Sequence, residues 1–250
     1  MNYLLSNLAQ IGSLLLWAAG WLLGGWLLAR GCFRLERRER FLAGLGLGLV
    51  LQTFFANLTT RLLGAPSGFW LASGLTFALG GIAWGLSLRR GNLRTNLREL
   101  WAEFFNAQIL LFVLLVAFFH LVGRGLSIFD DYQNLPVVSL LARGEIPPRF
   151  ALDPSVPFDY HYLLLLFAAQ WQRVAGIFPW VALDFARAIT IALALLFAAL
   201  WAWRVTRSRI AATLTALVVG LAGGTRWMLL FLPQEWLTTL SNQLTLIGSG

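Results

Sequence analysis

The sequence predicts an all-α fold: a polytopic transmembrane helix bundle with interfacial helices in one outer loop. Three observations carry the prediction. Apolar residues make up 58% of the 250-residue chain and charged residues 12%. Soluble domains run near a quarter charged, so this little charge cannot cover a water-exposed surface. The apolar residues collect in runs of about twenty, the length that crosses a hydrocarbon core of roughly 30 Å. The cations are all arginine, with no lysine, and they cluster in short connectors between the runs. That is the pattern of a membrane protein's cytoplasmic side.

The runs follow in order. The first covers about residues 4–29 and carries Trp17, Trp21 and Trp26. It lacks a basic leader and a clear cleavage site, so it reads as a retained helix rather than a signal peptide. Five arginines, Arg30, Arg34, Arg37, Arg38 and Arg40, close it. The second run, 41–63, contains Gly44 and Gly48, four apart, which make a flat face for a neighbouring helix. The sequon at Asn57 falls inside this apolar run and reads as accidental. A Gly-Ala-Pro-Ser-Gly turn at 64–68 leads to the third run, 69–88. The fourth is about 101–122. An outer loop spans 123–180 and holds a shorter apolar stretch, Leu163–Ala175, too short for an ordinary crossing. The fifth and sixth runs are 181–205 and 210–223. Apolar sequence interrupted by polar residues continues to Gly250, which reads as the N-terminal part of a longer protein. The domain expected is a single transmembrane domain over 1–250.

Orientation follows from charge. If Leu163–Ala175 does not cross, the connectors at 30–40, 89–98 and 204–209 share a side and hold twelve of the nineteen arginines. The net charge of +8 then lies wholly on that side, as the positive-inside rule requires. The expected placement is the plasma (inner) membrane, with the N-terminus and outer loop non-cytoplasmic and Leu163–Ala175 re-entrant or interface-lying. Arginines placed this way argue for a lipid bilayer as partner and against nucleic acid. The single cysteine, Cys32, excludes an internal disulfide and a cysteine metal site.

Residues 127–162 concentrate the chemistry. They hold five of the eleven acids, five of the eight prolines and one of the two histidines. Asp130 and Asp131 repel as neighbours, which favours a proton on one of them. They are candidates for a general base or for ligands of a divalent cation, magnesium or manganese. The plainer alternative is a hydrated loop with a helix cap. Residues 135–143 predict a short amphipathic helix capped by Asn134, with Pro136 in its first turn and Gly144 at its end. Leu135, Val138, Leu141 and Ala142 would form its apolar face on the bilayer surface. Prolines 147, 148, 154 and 157 predict an extended, ordered loop. Arg149 suits a phosphate or an ion pair with Asp153 or Asp159. Asp159-Tyr160-His161-Tyr162 places rings around an imidazole at a helix mouth, either as interface anchors or as a platform for a sugar or pyrophosphate. His120 lies mid-helix, where a helix-to-helix hydrogen bond is the expectation. Asp184 and Arg187, three apart, are expected to pair.

These residues, in this order, resemble the GT-C class of membrane glycosyltransferases, which includes the aminoarabinose and mannose transferases of bacterial envelopes. Phe129-Asp130-Asp131-Tyr132 matches the acidic pair that opens the first outer loop. Leu140-Leu-Ala-Arg-Gly144-Glu-Ile-Pro147 matches the end of a first interfacial helix, and residues 158–176 match a second with an aromatic start. Phe185-Ala-Arg187 matches the aromatic–x–arginine opening of the next crossing. The likeness covers about 101–209. It implies transfer of a sugar from a polyprenyl-phosphate donor on the non-cytoplasmic face, with Asp130 or Asp131 as base, sometimes beside a metal. Arg149, Asp159, Tyr160, His161, Tyr162 and Arg187 would bind substrate. The chain departs from the class in having three helices before the loop-bearing one and no lysine ahead of the second interfacial helix. Two other classes fit the composition: a non-catalytic subunit bound to membrane-protein partners, and a lipid or solute transporter.

Overall fold

In the computed structural model, residues 2–89, 103, 106–125, 131–158, 161–222, 233, 235–236 and 239 are described. Among them are eight helices and one two-stranded hairpin. In chain order the elements are α1 (Asn2–Cys32), α2 (Arg37–Leu63), α3 (Ser67–Arg89), α4 (Ala107–Gly125), α5 (Asp131–Arg143), β1 (Arg149–Phe150), β2 (Asp153–Pro157), α6 (Leu163–Ala175), α7 (Pro179–Thr206) and α8 (Arg209–Ala222). Four of them, α1, α2, α3 and α7, are long and apolar enough to cross a membrane. The apolar stretches of α4 and α8 are shorter. The chain divides into two compact units, Met1–Leu193 and Ala194–Gly250.

In the first unit α1, α2 and α3 pack together through small residues. A Cβ on Gly48 would run into the Trp21 carbonyl, and one on Gly44 would lie 2.5 Å from the Trp26 Cα. The two glycines therefore let the backbones of α1 and α2 touch, as their spacing predicts. Ser73 of α3 donates to the Trp17 carbonyl at 2.7 Å. Around this contact the tryptophans of α1 meet α6 edge-to-face. Trp17 and Trp171 lie 5.3 Å apart, and Trp21 and Phe167 lie 5.9 Å apart. Trp171 continues onto Phe185 of α7 at 4.9 Å. Such geometry adds to the burial of the rings themselves.

Helix α6 is embedded in this unit. Every residue from Leu165 to Trp171 is buried, as is Val174. A helix resting on a surface buries one stripe, whereas one buried all round lies inside. Its first turn meets the C-terminal end of α2, where Tyr162 bonds Asn57. Midway, Gln170 meets Gln52, deeper along α2. Past its end, a Cβ on Gly176 would lie 3.2 Å from Gln10, near the start of α1. Both ends of α6 therefore lie towards one end of the unit.

In the second unit α7 ends at Thr206, and Arg207 takes a positive φ of 54°. Ser208 then caps α8, its Oγ accepting from the Ala211 N–H.

Candidate functional site

The expected helix at 135–143 begins earlier, at Asp131. Asn134 is therefore an interior residue and not the cap. Pro136 lies beyond the first turn and has no N–H to offer the Tyr132 carbonyl four residues back. An acid at the first position suits the positive end of a helix, and that start adds a turn ahead of the apolar face. The buried face is Val137, Val138, Leu141 and Ala142, with Leu135 only half-buried. It packs against α6, so protein rather than a bilayer surface covers it.

Gly144 ends α5 with φ of +99°, and the N–H groups of Gly144 and Glu145 close back on the Leu141 and Leu140 carbonyls. This glycine lies against the α2–α3 turn, where an added Cβ would meet the Ala65 nitrogen at 2.8 Å. The proline-rich loop forms the antiparallel hairpin, pairing Arg149 with Pro157 and Phe150 with Asp153. Arg149 is exposed and donates through Nη1 to the Pro154 carbonyl at 3.0 Å. Of the ion pairs open to Arg149, the one with Asp153 is not made, since that carboxylate accepts from the Ser155 hydroxyl at 2.6 Å and the Ser155 N–H at 3.0 Å, and Asp159 lies outside the described residues. These bonds, the hydroxyl first, hold the Asp153 carboxyl below the ordinary aspartate value.

The corner at the start of α6 is tied to α2. Tyr162 donates its hydroxyl to Asn57 Oδ1 at 2.9 Å and accepts from Arg61 Nη2 at 3.0 Å. His161, beside it, is exposed. Asn57 and Arg61 are four apart and so share a helix face. Asn57 read as an accidental sequon, and Arg61 was not singled out. The available signal was a polar pair at helical spacing in the last turns of an apolar run. Arg61 keeps further N–H donors.

Asp184 and Arg187 pair at 3.9 Å on α7. Asp184 lies against α4, where a Cβ on Gly123 would approach its carboxylate at 3.5 Å. One turn earlier on α4, His120 meets the Phe185 ring edge-on at 6.1 Å, and its Nδ1 is buried without a hydrogen-bond partner. The helix-to-helix hydrogen bond expected of His120 is thus not made through Nδ1, and the contact with α7 is ring packing.

Of the remaining candidates, Asp131 is the first residue of α5, while Asp130, Asp159 and Tyr160 lie outside the described residues. Among the described residues no three His, Cys, Asp or Glu side chains gather as a metal site, and the cation site expected at Asp130 and Asp131 falls partly on Asp130, outside the described residues.

The fold defines an α-helical membrane protein with a structured segment of helix, hairpin and helix seated at one end of its first unit. Comparison with protein-family models, with curated proteins and with solved structures finds no match to this chain.

Proposed function

We propose that the protein is a membrane glycosyltransferase that moves a sugar from a polyprenyl-phosphate donor to an acceptor hydroxyl on the non-cytoplasmic face. The observation that carries this reading is the Asn57–Tyr162–Arg61 corner. It fixes a phenol and a guanidinium at the end of an apolar span, beside the exposed His161. A lipid-linked phosphate presents its charge at that level while its chain stays in the bilayer.

The acceptor oxygen attacks the anomeric carbon, the bond from that carbon to the phosphate oxygen breaks, and the acceptor proton passes to Asp130 or Asp131. Arg61, Arg149 and His161 receive the leaving phosphate by charge-assisted hydrogen bonds. Tyr162, with Tyr160 and Asp159, borders the sugar, and Arg187 steadies the adjoining helix mouth through Asp184. Most of the rate then comes from positioning and from charge already in place.

The test uses the purified chain in vesicles, supplied with a panel of polyprenyl-phosphate-linked sugars and scored for release of polyprenyl phosphate. The double variant Asp130→Asn/Asp131→Asn is expected to lose release by at least about a hundredfold while keeping its thermal unfolding. Release by the double variant at the wild-type rate refutes the mechanism. Co-purification of stoichiometric membrane partners, indifferent to both aspartates, would favour the subunit reading instead.

A further inference from the structure

At the other end of α2 lies a buried charge cluster that the proposed function does not use. Glu103 is fully buried and accepts from Trp26 Nε1 at 3.0 Å and from Arg40 Nη1 at 2.9 Å. Arg30 lies beside it with a side chain 1% exposed, but its Nη1 is 3.6 Å from the carboxylate, beyond hydrogen-bond distance. Arg30 Nε and Nη1 are both buried with no acceptor. The Trp26 ring, 5.6 Å from the guanidinium carbon, offers a π face but no lone pair for these donors. Among these three described side chains one carboxylate thus serves two guanidiniums, and Arg30 keeps two unmet donors. A buried cation in that state is costly unless an anion completes it.

We propose that this cluster binds the phosphate of an anionic phospholipid. Phosphate brings several acceptor oxygens and matches the arginine fork. Arg40, with a side chain 26% exposed, is the member of the cluster that reaches the surface. The cluster lies at the C-terminal end of α1 and the N-terminal end of α2, two of the candidate spans. Lipid headgroups lie at that level. Gly31 of α1 packs on Ala83 and Trp84 near the end of α3, so the end of that span is also at hand. Phe33, just past the end of α1, and Leu86, near the end of α3, are each about half exposed and offer apolar surface to acyl chains. A lipid, rather than free phosphate, is therefore the source the surroundings favour. The stretch of α2 from Arg40 to Arg61 covers roughly 30 Å at 1.5 Å per residue, so this site is separate from the Tyr162 corner and does not depend on the transferase reading.

The experiment uses the full chain in a neutral detergent. Binding is read by native mass spectrometry and thermal shift with three probes: phosphatidylglycerol, phosphatidylcholine and inorganic phosphate. Phosphatidylglycerol is expected to bind at least about tenfold more tightly than phosphatidylcholine and to resist competition by inorganic phosphate. Arg40→Gln should lose that preference by about tenfold, the worth of one charge-assisted hydrogen bond. Arg34→Gln, on the exposed connector, should keep it. Glu103→Gln separates binding from a folding defect, because removing the negative charge should tighten phosphatidylglycerol binding. Equal binding of the two lipids, full competition by inorganic phosphate, an equal loss in Arg34→Gln, or weaker binding in Glu103→Gln would each overturn the site.

Discussion

The buried amide pair between α2 and α6 makes a quantitative test of how the candidate segment is held. Gln52 and Gln170 are both fully buried. Gln52 Nε2 donates to Gln170 Oε1 at 2.7 Å and lies 3.3 Å from the Phe69 carbonyl, while Gln52 Oε1 has no partner. Gln170→Leu leaves the Gln52 amide with its longer bond only. An under-satisfied buried donor costs about 1–3 kcal/mol. Gln52→Leu strands Gln170 Oε1 but also removes the orphaned Oε1 of Gln52, so its cost should be smaller, about 0–2 kcal/mol. Replacing both with leucine removes every stranded group of the pair, and such a double change is nearly neutral. These costs bound the coupling between about 1 and 5 kcal/mol, and the range of roughly 0.6–2 kcal/mol for interhelical bonds in membranes sets the expected value at the low end, about 1 kcal/mol. The assay is a double-mutant cycle by reversible denaturation in mixed micelles. Additivity within about 0.3 kcal/mol would refute the claim that this pair pins α6 to α2.

Two further outcomes follow from single contacts. Gly48→Val drives a branched side chain into the Trp21 carbonyl, and overpacking of this kind costs about 1–3 kcal/mol or more. Thermal unfolding in detergent should fall accordingly, and unchanged unfolding would remove the α1–α2 backbone contact from the account. The Asp153 carboxyl is depressed by its Ser155 bonds, so its contribution to hairpin order is present above the unfolded value, about 3.9, and is lost as pH falls through the lower folded value. Proton titration of Asp153 by NMR should give a value below that of the Ser155→Ala variant. Equal values would contradict the hydrogen-bonded turn.

The apolar runs were legible because membrane solvent leaves little freedom. A crossing helix needs a fixed length of apolar sequence, and α1, α2, α3 and α7 each lie within a few residues of the predicted runs. The Asp184–Arg187 pair was legible because its spacing is local. What escaped were contacts between residues distant in sequence. Tyr162 finds Asn57 and Arg61 across the α2–α6 interface, and Gln52 finds Gln170. Arg30, read as a connector charge, and Glu103, inside the fourth run, are both buried, 3.6 Å apart. The early start of α5 was hidden by Pro136, which signals a helix beginning more strongly than it forbids a longer one.

The most direct measurement bears on which end of the first unit faces which compartment. Cys32, the sole cysteine, is exposed beside the arginine connector, and Leu152 is 85% exposed at the hairpin turn. In intact cells an impermeant maleimide should label Leu152→Cys in a Cys32→Ser background and should reach native Cys32 only after the membrane is opened. Labelling of both sites from one compartment, or in the reverse order, would contradict a lipid-linked donor meeting its acceptor outside the cytoplasm.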